Sequence, residues 1–483
     1  MKNILRLGAA TLTIVSSLSL WGASPTTVSL DSCRHLALAN NKTIMIAREG
    51  INTAEFNKKA AKAAYLPGID FSGGYMYNQN IISLLGENAK LPTMSFDAAS
   101  GSYKPNILVG PDGIPVKDPA TGSYIPTEVA VIPKEAMEYD VHNVFAGAFT
   151  LTQPIFMGGR IKALNDIAAH AESAARSGHE KVVQDVTYKV DEAYWLVVSL
   201  KAKEKLADSF VALMDSLKLN VDHLLENGMA TRSDVLNVEV KLNEAQIART
   251  KVSNGLSLSR MALAQTCGLP IDTQMTLEDE DLKSCNADTY SLPQDFNMAD
   301  IYARRQDLEV IRQSINMLKG TEKLAMADML PTIAAVGMYS FSNPNVKNGF
   351  EKKFGGGFSV GAMLTVPLWH WGGNYNKYRA AKSATNAQRL LLEDAEEMVN
   401  LQVNQAKFKY SEAFKTLDMT RTNMKKADEN LRQAQLAFRE GVLTADDVIA
   451  AQTAWLQAHS ELIDAEIGIR LCDVYLSKVT GNL

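Results

Sequence analysis

Gly357-Phe358-Ser359-Val360-Gly361 matches the Gly-x-Ser-x-Gly spacing of a hydrolase nucleophile elbow. That chemistry needs a strand followed at once by a tight turn and a helix, which together lift the hydroxyl into the open for acyl transfer. Ser359 instead lies inside the alternating run FSVGAMLTVP, with no helical pattern for a dozen residues, so it reads as a strand residue. The seven histidines are scattered without metal-ligand spacing, and no phosphate-cradling Gly loop ends in Lys-Ser or Lys-Thr. We therefore expect no catalytic residue, no cofactor and no metal. What remains is a repeated phrase carrying carboxylates: NGMATRSDV at 227–235 and EGVLTADDV at 440–448. Gly228, Thr231, Asp234 and Val235 recur as Gly441, Thr444, Asp447 and Val448, always 213 positions later. Each phrase is a helix-to-helix turn: the Gly ends one helix in the left-handed conformation, the Thr caps the next, and the Asp three residues on resembles a capping box. Whether the carboxylates do more than cap stays open at this point.

The elements that position these turns are long helices. In the second copy Val399, Ala406, Ala413, Thr420, Ala427 and Ala434 recur every seven residues, as do Val403, Tyr410, Leu417, Met424, Leu431 and Phe438. Subtracting 213 gives Val186, Ala193, Leu200, Ala207, Met214 and Val221, with Val190, Val197, Glu204, Val211, Lys218 and Leu225, the same frame with two charged breaks. Sustained apolar heptads specify coiled-coil packing. The segments 160–227 and 374–440 predict helices of about 100 Å at 1.5 Å per residue, returning as 232–267 and 445–480. Two further helical stretches, about 30–64 and 298–328, supply the remaining height of a uniform sheath, and 268–297 breaks the period at mid-height. The domain reading is a signal segment at 1–24, a first repeat at 25–297 and a second at 298–483.

At the other end of each repeat the period changes from seven to two. Strands are expected at about 68–78, 144–155, 332–342 and 358–368, with one apolar face and one small or polar face. Their length and pattern suit the hydrocarbon core of an outer membrane. Membrane barrels must close, and they begin at about eight strands, so four per chain require two or three chains around a water-filled passage. Residues 79–142 hold seven of the fifteen prolines and no clear period, which reads as a long loop; its counterpart at about 343–357 is short and Gly-rich. His370, between Trp369 and Trp371, falls at the boundary of strand and helix, where aromatic residues favour a membrane interface.

A net charge of -5 argues against a nucleic-acid partner. Lys2, Arg6, the apolar core Leu7 to Leu20 and Gly22-Ala23-Ser24 read as a secretory signal, and no later run is apolar enough for a helical membrane span. Export would place Cys33, Cys267, Cys285 and Cys472 in an oxidising compartment, where Cys267–Cys285 or Cys33–Cys472 pairing and free thiols are all open.

Taken in order, the signal, the duplicated heptad hairpins, the Leu-Pro-opened strands at Leu66-Pro67 and Leu330-Pro331, the aromatic-Gly-Gly joints and the Gly-x-x-Thr-x-x-Asp-Val turns resemble the TolC family of outer-membrane efflux proteins over about 30–481. The resemblance implies a mainly α chain with a membrane β-barrel portion: a homotrimer whose twelve strands form one barrel in outer-membrane lipid, continued by an α-barrel through the periplasm. It also implies two partners, a periplasmic adaptor (membrane fusion) protein and an inner-membrane pump of RND, ABC or MFS type. The tip turns at Gly228, Thr231, Gly441 and Thr444 would dock the adaptor. Asp234, Asp446, Asp447, Arg232 and Phe438 become candidates for the periplasmic entrance, where a trimer would gather six carboxylates from Asp234 and Asp447. Leu443 and Ala450 depart from the family's pattern, which has Arg and Asp there, so an identical closing network is not expected, and Asp446, Arg232 and Asp234 are the candidate substitutes. The competing reading is a structural periplasmic coiled coil without a conducting pore.

Overall fold

The computed structural model describes residues 27–281 and 296–483. Eight α-helices among these residues account for most of the chain: α1 Leu30–Asn40, α2 Lys42–Ala63, α3 Arg160–Glu226, α4 Arg232–Thr266, α5 Met298–Arg304, α6 Gln306–Ala327, α7 Gly373–Arg439 and α8 Ala445–Val479. None of them is long and apolar enough to cross a membrane. The signal segment and Cys285 lie outside the described residues.

The first compact unit contains the tips and most of the helical mass. Helices α3 and α7 are each 67 residues long. Every buried residue of α7 sits on the two heptad series, from Thr385 through Val399 and Val403 to Leu431 and Ala434. The charged breaks of the first copy are neutralised in place: Lys201 pairs with Glu204 at 2.8 Å, and Lys218 meets Asp222 at 2.9 Å and Glu239 at 3.5 Å. Long stems lie along the seam while their charges satisfy one another near its edge.

Where single helices are expected at 30–64 and 298–328, the structure has two pairs, interrupted at Asn41 and Arg305. The cause is tertiary. Asn41 donates its Nδ2 to the Thr266 carbonyl at 2.8 Å, and Arg305 donates to the Val479 carbonyl at 3.1 Å. Each break thus satisfies an orphan carbonyl at the end of a return helix, and the two acceptors lie 213 positions apart. Gly268 and Gly481, the next such pair, are left-handed at φ +75° and +74°. A Cβ on Gly268 would lie 2.5 Å from the Asn40 backbone, which shows how closely α1 approaches the end of α4. Parallel pairing of Thr27–Val28 with Thr276–Leu277 ties the first described residues to the segment after α4.

The second unit takes up Ala60–Ala163 and Lys323–Lys377. Its four-stranded antiparallel sheet comprises β1 Gly68–Tyr77, β2 Asn143–Met157, β3 Thr332–Asn343 and β4 Gly355–Thr365, in spatial order β4-β3-β2-β1. Register places Phe71, Phe149, Tyr339 and Phe358 in one row across all four strands. The Phe71 and Phe149 rings lie 4.9 Å apart, and Phe358 is 81% exposed. The row beside it, Asp70, Thr150, Met338 and Ser359, lies on the opposite face. Both outer strands, β1 and β4, leave one edge without a partner among the described residues.

Residues 79–142 are not the unpatterned loop their prolines suggested. Ile82–Ser83 pairs with Glu138–Tyr139, Ala89–Pro92 with Val129–Ile132, and Met94–Asp97 with Ser102–Pro105. Two of the seven prolines, Pro92 and Pro105, each close a strand. Strands of two to four residues are too short for a period of two to show in the sequence.

Candidate functional site

Four backbone features build each tip. At the first, Gly228 (φ +72°) donates to Leu225 at 2.9 Å and Met229 donates to Leu224 at 2.8 Å, the two bonds of a Schellman ending. At the second, Gly441 (φ +73°) donates to Phe438 at 3.0 Å and Val442 to Ala437 at 2.8 Å. The following helices begin with reciprocal capping boxes. The Thr231 hydroxyl accepts from Asp234 N–H at 3.3 Å while Asp234 accepts from Thr231 N–H at 2.8 Å. The Thr444 hydroxyl likewise accepts from Asp447 N–H at 3.3 Å, and Asp447 accepts from Thr444 N–H at 2.9 Å. The same Asp oxygens also accept from the Thr hydroxyls, at 2.8 Å in the first tip and 2.7 Å in the second.

These bonds favour the charged carboxylates. The Thr231 backbone N–H, then its hydroxyl, lowers the Asp234 pKa; the Thr444 hydroxyl, then its N–H, lowers that of Asp447. Both groups remain in contact with solvent, so each is an anion held in a fixed direction.

Among the five entrance candidates, the structure separates three roles. Asp234 and Asp447 are held by their own capping boxes. Phe438 is half-buried against a core of Met214, Val221, Val235, Val238 and Val448, which joins α3, α4 and α8. Asp446 reaches across from α8 to α4, accepting from Asn237 Nδ2 at 2.5 Å. Arg232 is exposed and has no ion-pair partner among the described residues. Leu443 packs against Leu431, Ala434 and Ala451, so an apolar contact occupies that position.

Asn237 is the residue that sequence reasoning missed. Its counterpart 213 positions later is Ala450, so a search for repeated residues passes over it. The available signal was position: three residues after Asp234, it stands one turn further along the exposed face of the same helix.

Ser359 pairs with Met338 in the middle of β4, and α7 starts only at Gly373; no nucleophile elbow forms.

A family model described as "Outer membrane efflux protein" matches residues 132–269 and 298–482. The outer membrane efflux protein BepC of Brucella suis biovar 1 (strain 1330) is 21% identical over 437 residues, covering 88% of this chain and 91% of that protein. The alkaline protease secretion protein AprF of Pseudomonas aeruginosa is 23% identical over 344 residues, 69% of this chain and 68% of its own. In the crystal structure of the Campylobacter jejuni CmeC outer membrane channel, 85% of the chain superposes on 94% of this one with a TM-score of 0.72 at 15% identity.

Proposed function

The chain belongs to the outer membrane efflux protein family, and from that premise we propose how its sheet and its tip turns each serve an exit duct. A member of this family resides in the outer membrane of a Gram-negative bacterium and conducts outward what is expelled from within. The observation that carries the mechanism is the open sheet. Its outer strands, β1 and β4, are 10 and 11 residues long, exposed, and without partners on one edge among the described residues, while an aromatic row crosses the sheet on one face. Backbone groups left unpaired in hydrocarbon cost several kcal/mol each, so such edges must meet one another. Three copies joined β1 to β4 make a closed barrel of twelve strands, with the aromatic row toward lipid and the Ser359 row toward water. Trp369 and Trp371, 71% and 87% exposed, then stand at the lipid boundary with His370 between them.

The paired halves, related by an offset of 213, derive in this reading from a duplication that supplies two strands and one helical hairpin each. Helical hairpins of three chains enclose the passage, and the turns at Gly228, Thr231, Gly441 and Thr444 receive a periplasmic adaptor that links the duct to an inner-membrane pump. The Asn237–Asp446 bond ties one hairpin to the other near this end, and we assign it the closing role. Asp234 and Asp447 contribute negative potential at the mouth while serving as caps.

The test is assembly and conductance of the purified protein. In detergent the mass should be that of three chains, and in planar bilayers the protein should open channels. A soluble monomer needing no detergent would support the coiled-coil alternative and end the duct reading. Asn237→Ala and Asp446→Ala should each raise single-channel conductance, and the double variant should add nothing beyond either one. If both leave conductance unchanged, the tie does not close the entrance.

A further inference from the structure

Cys33 and Cys472 are not paired with each other, and Cys285, the partner considered for Cys267, lies outside the described residues. Cys33, on α1, and Cys267, at the end of α4, are both 0% exposed and share one core with Ala37, Val190, Tyr194 and Leu263. Cys267 Sγ lies 3.6 Å from the Cys33 carbonyl oxygen, and both side chains are free thiols in the structure. Cys472 stands elsewhere, its Sγ 3.8 Å from the Lys409 carbonyl. The approach is fixed by backbone: the Gly268 Cα has no room for a Cβ beside Asn40, and Asn41 holds the Thr266 carbonyl at 2.8 Å. Beside the pair, Arg34 clamps the fully buried Asp191 through two bonds of 2.7 and 2.6 Å, so α1 is also fixed to α3.

We propose that Cys33 and Cys267 form a disulfide in the exported protein, closing a loop between positions 234 residues apart. Placement in the outer membrane carries the chain through an oxidising compartment, the setting in which bacterial disulfides form and persist. The oxidant is a protein disulfide of the thiol–disulfide exchange class. The thiolate of one cysteine attacks one of its sulfurs and expels a thiolate; the thiolate of the other cysteine then attacks the first cysteine's Sγ in the mixed disulfide and expels the oxidant's second sulfur as a thiolate. The two thiols give up two protons and two electrons, and the oxidant's disulfide becomes a dithiol. Full burial of both sulfurs requires the exchange to precede closure of the core. Once made, the bond is screened from reductant in the folded protein.

The experiment uses the full chain extracted from outer membranes without reductant, denatured in N-ethylmaleimide, digested and analysed by mass spectrometry. The expected result is the Cys33 peptide joined to the Cys267 peptide, two hydrogen masses below their sum, with the Cys285 and Cys472 peptides alkylated. A Cys285→Ser chain should give the same joined peptide. Reductant applied before denaturation should leave it intact, and reductant applied after denaturation should remove it. Alkylation of all four cysteines, or a Cys267–Cys285 peptide in its place, would overturn the assignment. Neither outcome touches the exit-duct reading, which stands on assembly and conductance.

Discussion

The two joints where strand gives way to long helix share a backbone and differ in a side chain. Gly158-Gly159 is left-handed at φ +60° and +85°; 213 positions later Trp371-Gly372 repeats the shape at +49° and +73°. At the first joint a Cβ on residue 158 would lie 2.9 Å from both the Ala327 carbonyl oxygen and Leu330 Cβ, so only glycine fits. Trp371 stands 87% exposed, and there the cost of an L-residue is confined to its own backbone, about 1–2 kcal/mol. The tip turns behave differently: backbone and residues both repeat, because Thr and Asp are themselves partners in the hydrogen bonds. A conformation that demands only a φ angle lets its surroundings choose the residue. One closed by side-chain bonds does not.

Gly158→Ala should break this comparison most severely. It combines about 1–2 kcal/mol of left-handed strain with about 1–3 kcal/mol of crowding, and should lower the denaturant midpoint accordingly. An unchanged midpoint would mean that crowding is not what separates the joints. Thr231→Ala and Thr444→Ala come next, each removing a cap for about 1 kcal/mol, with equal losses in thermal unfolding expected because the two boxes have the same geometry. Unequal losses would show that one tip carries an interaction the other lacks. Trp371→Gly should act in the opposite sense, relieving strain for a gain of about 0.5–1 kcal/mol after the added freedom of the unfolded glycine is subtracted.

The smallest effect is on pH dependence. The folded-state pKa values of Asp234 and Asp447 are depressed, so the stabilisation from their bonds is complete above the ordinary Asp value of about 3.9 and is lost as pH falls through the depressed value. The Tm difference between the native chain and Asp447→Asn should therefore hold steady from neutral pH to about pH 4 and close only in stronger acid. A gap that closed near neutrality would point to a different group.

The mainly α class, the family and its outer-membrane duct were legible because their signals are long: a heptad seam running from Val399 to Phe438 leaves a period that no local accident imitates. At 79–142 the pairing is carried by pieces too short to show a period. The breaks at Asn41 and Arg305 depend on carbonyls 225 and 174 residues away, at Thr266 and Val479, and no local pattern reports them. At the tips, repetition disclosed Gly228, Thr231 and Asp234 but hid Asn237, whose only counterpart is an alanine. Phe438 poses the opposite difficulty: an aromatic near a turn fits a gate and a core equally in sequence, and in the structure it packs against the cluster that holds Val235 and Val448.

The nested pairing of 79–142 also bears on how the sheet is made. Tyr77 pairs with Asn143, a contact that would otherwise close a loop of 65 residues. The interior turn between Lys117 and Tyr124 closes over six, and the rungs at Val129–Ile132 and Glu138–Tyr139 extend pairing toward the sheet. Roughly three doublings of loop length are thereby spared, about 2 kcal/mol of chain entropy. The insertion thus acts as a zipper, delivering β1 to β2 already in register, and a deletion inside it should slow assembly of the sheet more than it weakens the finished one.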